Sequence, residues 1–546
     1  MISIVTPDKM RALDQALIDA GTPVALLIER AAREIAGYLH RHVVPRGAET
    51  RSVVAVVGPG NNGADAIVAA SMLGQMGWAA CVLLVDRADI SEHPDLEEYL
   101  ERLRSVAEIG EADVILDGIF GNSGRTDLPA SVTRALEKLG AAARASSALV
   151  VAIDCPTGTN TLTGEVADAI VTADVTLCIS NPKIGMLLSP AREHIGELVL
   201  FDIGLDTSEV DPEVGASMID AGFVRASLPT RAVGAHKSQV GGLLIVGGAP
   251  GYYGAPRLAG EAALRAGCGY VGLAAPRSII GAIASAVPEL IFHPLSDADG
   301  RSSAATVGKA LSEGNRYDAV VIGPGLGRDE VAKRFMEALF EPAAVPEEQA
   351  APTSAFGIPR RIAREESDER ADLSAFPLVL DADALNWLSE QDSWPSRLAG
   401  RTCVLTPHVG EMARLLGVEA DEVAADPWAA ARQAASDWGQ VVLLKNPLSC
   451  VATPEGELFV APRFTPELAT PGTGDVLSGS VGAFLAQGLP PSEAAAVALY
   501  VGSVAGRLAR GERGTRSVLA RDLIDVIGRA LREFDSPAVR RLAAFQ

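Results

Sequence analysis

Two long stretches of the chain repeat one rhythm: a short apolar run, a turn rich in glycine, asparagine or aspartate, then a segment with apolar positions three and four apart. In the first stretch the runs fall at 52–57, 81–85, 114–117, 149–154, 175–179 and 198–203, with helical spacing at 64–76, 96–106 and 131–139. In the second the runs fall at 242–246, 319–322, 378–380, 402–405 and 441–444, with helical spacing at 257–266, 330–339, 409–416 and 429–438. Strand alternating with helix predicts an α/β protein with doubly wound, mostly parallel sheets. In such sheets ligands gather beyond the carboxyl ends of the strands. The polar segment 206–234, punctuated by Pro and Gly, reads as a linker. Two domains are therefore expected, 1–220 and 221–546. Residues 341–376 carry Pro, Ala and charge but few large apolar side chains, which predicts a mobile surface insertion.

Composition narrows the partners. At 546 residues with 48% hydrophobic positions the chain can bury two sizeable cores. Its formal charge of −22 argues against a nucleic-acid partner, which needs a basic surface. Local helix ends and a few cations can still hold phosphates in an acidic protein. The six cysteines are scattered without a CxxC pair and read as reduced core thiols. The opening residues have the spacing of an amphipathic helix rather than a signal peptide. No run of eighteen uncharged apolar residues occurs, so no membrane span is expected. The expected setting is the cytoplasm, with small-molecule substrates and a homo-oligomeric assembly.

Three strand ends of the first half carry polar, glycine-containing loops: GPGNNGAD (58–65), DGIFGNSGRTD (117–127) and DCPTG (154–158). Asn62, Asp117 and oxygens near Thr157 offer hard ligands for a cation, and Asp154 is left as a candidate acid or base. These motifs resemble the NAD(P)H-hydrate epimerase domain, whose usual loop reads NNGGDG, over roughly residues 1–220. The resemblance implies a Rossmann-like sheet and substrate contacts from Asn61, Asn62, Gly63, Ala64 and Asp65. It also implies contacts from Gly121, Asn122, Ser123, Gly124, Arg125, Thr126 and Asp127. By the same resemblance Asn62, Asp117 and Thr157 bind potassium, and Asp154 meets the reacting ring. Ala64 and Ala66 stand where the usual loop has glycines.

The second half is organised around ATPGTGDVLSG (469–479). A helix starting at this turn aims unpaired N–H groups and a positive dipole at whatever precedes it, which suits a phosphate. Asp475 then lies in the first turn, where a carboxylate can take the proton of a hydroxyl attacking a phosphoryl group. Further loops follow the other strands: GGAPGYYGAP (247–256), GPGLGR (323–328), DADALN (381–386), TPHVGE (406–411) and KNPLS (445–449). The set resembles the ribokinase-like fold and, within it, the ADP-dependent NAD(P)H-hydrate dehydratases. That resemblance implies substrate contacts from Ala255, Gly325, His408 and Asp475. It implies nucleotide contacts from Lys445, Asn446, Pro447, Leu448, Ser449, Gly472, Thr473 and Gly474, with ADP as co-substrate and magnesium. The usual KGA is KNP here, and TPHPGE is TPHVGE.

The two halves together predict repair of hydrated NADH or NADPH: epimerisation at C6 with Asp154 acting, and dehydration of one epimer with Asp475 as base. A ribokinase-like small-alcohol kinase and a non-catalytic dinucleotide-binding protein are the alternatives. The first predicts a stable phosphorylated product, the second binding without turnover.

Overall fold

The computed structural model describes residues 1–43, 51–86, 96–205, 211, 213–232, 234–313, 316–340 and 372–534. It divides into two compact units, Met1–Met218 and Ile219–Gln546.

In the first unit the chain forms β1 (Ile2–Ser3), β2 (Ser52–Val57), β3 (Ala79–Leu84), β4 (Arg104–Ser105), β5 (Val114–Gly118), β6 (Leu149–Ile153), β7 (Val175–Ile179), β8 (Glu197–Phe201) and β9 (Ala216–Met218). The main sheet runs β4-β3-β2-β5-β6-β7-β8, all parallel. Its central strands are apolar along most of their length because helices cover both faces, with Asp117 near the end of β5 the charged exception. Strand order reverses between β2 and β5, so a crevice opens where the loops after these strands diverge. The helix Asn61–Gln75 starts there and buries nearly all of its small side chains. Gly118 lets it close on the sheet, since a Cβ at that position would lie 2.4 Å from the Ala66 methyl. The two alanines of the first loop are thus core residues, both fully buried.

The second unit contains β10 (Gly242–Val246), β11 (Tyr270–Pro276), β12 (Ile291–Leu295), β13 (Ala319–Ile322), β14 (Leu378–Leu380), β15 (Cys403–Leu405), β16 (Val441–Leu444), β17 (Cys450–Ala452) and β18 (Leu458–Val460). They are ordered β18-β17-β16-β15-β14-β13-β10-β11-β12, with β10 to β16 parallel and β17 and β18 antiparallel. Here the order reverses between β10 and β13. The helix Thr473–Ala486 packs over this reversal. Two glycines allow the approach: a Cβ at Gly479 would sit 2.1 Å from the Ala259 carbonyl oxygen, and one at Gly482 2.4 Å from Val321.

The α/β expectation holds in both units, with corrections of detail. The helix expected over 96–106 ends at Glu101, and Arg104–Ser105 joins the sheet edge. The linker expected at 206–234 contains β9, which pairs with β1, and the helix Ala221–Ser227; residues 206–210, 212 and 233 of it lie outside the described residues. Strands β11, β12, β17 and β18 add to the expected set. Of the expected insertion, 341–371 lies outside the described residues, and 372–376 holds a short 3-10 turn at Leu373–Ala375.

Candidate active sites

At the reversal point of the first unit lies a cavity of about 360 Å³. Asn61, Asn62, Asp65, Gly121, Asn122, Ser123 and Asp154 line it, together with Asp14 and Lys183. Gly63 and Ala64 face the core instead, because they occupy the buried side of their helix. Gly124, Arg125, Thr126 and Asp127 continue the loop beyond the lining, where Arg125 stacks over the Phe120 ring at 5.5 Å.

Beneath the cavity floor Asp117 and Thr157 are bonded to each other. The Thr157 hydroxyl donates to Asp117 Oδ1 at 2.6 Å, and the Thr157 N–H donates to Oδ2 at 2.8 Å. Burial pushes the Asp117 carboxyl above its ordinary range, against these hydrogen bonds. Asn62 Nδ2 is buried and finds no partner among the described residues. Which amide atom points which way is an assignment from the network, and rotating the amide turns Oδ1 toward that unpartnered position. A carboxyl, an amide and a hydroxyl are all oxygen donors, the kind that a hard cation takes.

Asp154 follows β6 in the left-handed region, at φ 66°, an uncommon conformation for a non-glycine residue. Its N–H donates to the Leu177 carbonyl at 2.8 Å, and its Oδ1 accepts from the Ile179 N–H at 3.3 Å and from Lys183 Nζ. Lys183 is fully buried; burial would lower its pKa, but the Asp154 carboxylate outweighs that and holds the ammonium above its ordinary range. Asp65 sits well above the usual carboxylate range through burial, with Asp154 and Asp14 adding to the effect. Burial likewise pushes Asp14 up to about 6, against the pull of Lys183.

In the second unit Gly472 precedes the helix Thr473–Ala486 at φ 91°. A Cβ there would lie 2.7 Å from Leu258 and 3.0 Å from Ala520, so both backbone and space require glycine. No side chain caps this helix. Its first N–H groups stay available to an anion. A Cβ at Gly474 would be 3.4 Å from Lys445 Nζ, which puts an ammonium at the positive helix end. The Thr473 hydroxyl is committed elsewhere, donating to the Leu468 and Thr470 carbonyls at 2.9 and 3.0 Å. Asp475 occupies the first turn, and its carboxyl is pushed up to about 7 by burial and by Asp381, with Lys445 opposing.

Lys445 binds Asp381 at 2.8 Å and lies 3.9 Å from Glu411. Burial works against its charge, but Asp381 and Glu411 hold its pKa above the ordinary value. His408 caps the helix Val409–Leu416: its Nδ1 accepts from the Gly410 and Glu411 N–H groups at 3.0 and 3.3 Å. With Nδ1 an acceptor, the proton resides on Nε2, and burial plus Lys445 and Arg414 keep the ring neutral. Ala255 and Gly325 meet at the reversal point, where a Cβ on Gly325 would lie 3.2 Å from the Ala255 methyl. In the loop after β16, Ser449 Oγ donates to the Asn446 carbonyl at 3.0 Å and Leu448 is buried, so these two side chains shape the loop.

Residues 24–185 match the family described as YjeF-related protein N-terminus, and residues 243–344 and 357–529 match NAD(P)H-hydrate dehydratase. A bifunctional NAD(P)H-hydrate repair enzyme from Moorella thermoacetica is 31% identical over 99% of each chain. Another, from Salinibacter ruber, is 33% identical over 97% of this chain and 96% of its own. The chain belongs to the bifunctional NAD(P)H-hydrate repair enzyme family. A crystal structure of the ADP/ATP-dependent NAD(P)H-hydrate dehydratase from Bacillus subtilis, co-crystallized with ATP and Mg2+, aligns with a TM-score of 0.46 at 26% identity, covering 59% of this chain and 99% of that one.

For a member of the NAD(P)H-hydrate repair family, motif reading assigned no role to four groups near the two sites: Asp381 and Glu411, which stand in the loops DADALN and TPHVGE, and Asp14 and Lys183, which stand in none. The last two still left a signal in the sequence. Asp14 falls between Met10 and Ile18 at helical spacing, a carboxylate on an otherwise apolar stripe. Lys183 interrupts the run after β7, a strand whose following loop carries no glycine to draw attention.

Proposed function

We propose that the chain repairs hydrated NADH and NADPH, its first unit inverting C6 and its second unit removing the added water at the expense of ADP. The observation that carries the second step is Asp475, a carboxyl pushed up to about 7 in the first turn of an uncapped helix. A base with that pKa is half ionised at neutral pH and strong enough to take a hydroxyl proton. The C6 oxygen attacks the terminal phosphoryl of ADP while its proton passes to Asp475. The helix end at Gly472–Gly474 and Lys445 stabilise the transferring charge. Phosphate then leaves C6, loss of a C5 proton restores the ring double bond, and AMP remains. Neutral His408 offers its Nε2–H to the substrate.

In the first unit Asn62, Asp117 and Thr157 would hold a potassium ion. When bound, the ion supplies a fixed positive charge that orders the two loops around the substrate. Magnesium arrives with the nucleotide's phosphates. Among the described residues, no cluster of three or more His, Cys, Asp or Glu could cage a metal. The described residues contain no helix long and apolar enough to cross a membrane. We read the protein as a cytoplasmic homo-oligomer.

The test is direct. The chain is incubated with acid-hydrated NADH, potassium, magnesium and ADP, and recovery of dihydronicotinamide absorbance is followed. Recovery of both epimers with release of phosphate and AMP is expected; a stable phosphorylated product would instead mark a kinase.

A further inference from the structure

We propose that Lys183 and Asp65 complete the acid–base set of the first site: Lys183 holds Asp154 as the proton-accepting carboxylate, and Asp65 donates the proton at C6. This rests on the reading of the first unit as a hydrate epimerase.

The Lys183 side chain is 1% exposed, and its Nζ contacts Asp154 Oδ1, the Ile179 carbonyl at 3.2 Å and Cys178 Sγ at 3.7 Å. A buried ion pair is often only structural. This one borders the cavity, and its carboxylate is presented by a backbone at φ 66°, the kind of local strain that clusters at functional sites. Lys183 is not a nucleophile, because Asp154 keeps it an ammonium. Its action is to position Asp154 by direct contact with Oδ1.

Asp65 is the opposite case. It is 6% exposed and borders the same cavity, and no cation pairs with it among the described residues. The charged or titratable groups around the cavity are Arg11 and Asp14 on the N-terminal helix, Asp117 below, Cys155 and Cys178 beside the ion pair, and Lys183. The lysine is spent on Asp154. The Asp65 carboxyl has no cation among the described residues to favour its ionised form, and burial with the neighbouring Asp154 and Asp14 raises it well above its ordinary range, which favours the protonated form. A carboxyl without such a cation and a carboxylate paired with a buried ammonium, both bordering a single cavity, supply the donor and the acceptor that an inversion at C6 needs.

That carbon bears both the added hydroxyl and a bond to the ring nitrogen. The Asp65 proton passes to the C6 hydroxyl, the C6–O bond breaks and water departs, and the nitrogen lone pair forms N1=C6. Water then adds to the other face of C6, the π electrons return to nitrogen, and the excess proton goes to Asp154. Exchange through solvent returns that proton to Asp65. No oxidant or net water is consumed.

The experiment uses the intact chain with potassium and without ADP, so that only epimer interconversion is read, by chromatography in H2 18O. Wild type is expected to gain one labelled oxygen per inversion. Asp65→Asn should slow inversion by about 100-fold or more while leaving hydrate binding within a few-fold. Lys183→Met should move the basic-form midpoint of the pH–rate profile upward by about a unit, and Lys183→Arg should restore it. Inversion without label, Asp65→Asn at close to the wild-type rate, or an unmoved profile in Lys183→Met would each overturn the assignment. Should Lys183→Met fail to fold, the near-isosteric Asp65→Asn decides. A wild type that inverts neither epimer overturns the epimerase reading, and this assignment with it.

Discussion

Replacing Asp475 by Asn separates stability from activity in a way the structure quantifies. The wild-type carboxyl moves from 3.8 to about 7 on folding. Its folded pKa lies above its unfolded one, so the folded state binds the proton more tightly. The stability this contributes is present below about pH 4 and is lost as pH rises through 7. A shift of roughly 3 pKa units corresponds to about 4 kcal/mol, an order-of-magnitude figure. Asn cannot ionise, so Asp475→Asn should match wild type near pH 4 and exceed it by about 4 kcal/mol at pH 8 and above. For a domain of this size that is a rise in melting temperature of about 6 °C. Tryptophan fluorescence reports the right unit, because Trp387, Trp394, Trp428 and Trp438 belong to the second and only Trp78 to the first. Urea or thermal unfolding is followed from pH 4 to 9 for both proteins. Dehydration is measured in parallel: wild-type rate should rise with pH about a midpoint near 7, and the variant should lose about 10²- to 10⁴-fold. A variant that is less stable than wild type at pH 8, or equally active, would refute the reasoning. A stability difference independent of pH would do the same.

Other perturbations test separate parts of the sites. Gly472→Ala forces a Cβ to within 2.7 Å of Leu258 at φ 91°, so it should cost about 1–3 kcal/mol and weaken nucleotide binding, read by thermal melting and titration with ADP. Lys445→Met strips the buried Asp381 of its cation and should destabilise the second unit by about 3–5 kcal/mol. Because Lys445 also holds the Asp475 pKa down, the activity midpoint in that variant should move to higher pH. Exchanging potassium for tetramethylammonium should depress epimerisation and leave dehydration of the S epimer intact, as measured by separate assays of the two steps.

Both reversal points were legible in the sequence, because the chain spends its glycines and amide side chains on the loops that flank them. The runs at 58–65 and 117–127 follow β2 and β5, and those at 247–256 and 323–328 follow β10 and β13. A doubly wound sheet with polar loops at its switch points leaves little freedom over where a ligand goes. The sheet edges were harder to read. Strands β17 and β18 are three residues each and close a hairpin, too short for alternation to register. Ala64 and Ala66 illustrate a different loss. In the linear motif they stand where ligand-facing glycines are usual, yet the helix that starts at Asn61 turns both methyls inward, one against Gly118.

The electrostatics of the sites were the least legible, and for a reason that applies to both. A loop motif states which side chain is present, but a pKa depends on what the other elements bring to it. Asp475 becomes a base near 7 because burial denies it water and because Asp381, the residue that follows β14, adds its charge. Asp154 gains its ammonium partner because Lys183 arrives from the segment after β7. Each site therefore consists of a motif-borne carboxylate and a lysine contributed by another strand end, Lys183 in one unit and Lys445 in the other. The two lysines act on carboxylates placed differently. Lys183 touches Asp154 directly and fixes its position, whereas Lys445 binds Asp381 and only moderates Asp475. A direct partner fixes where a carboxylate's oxygens sit, as a step that receives a proton from one face of the ring requires. An indirect one leaves the carboxyl near neutrality, where it can take a proton in one turnover and release it before the next.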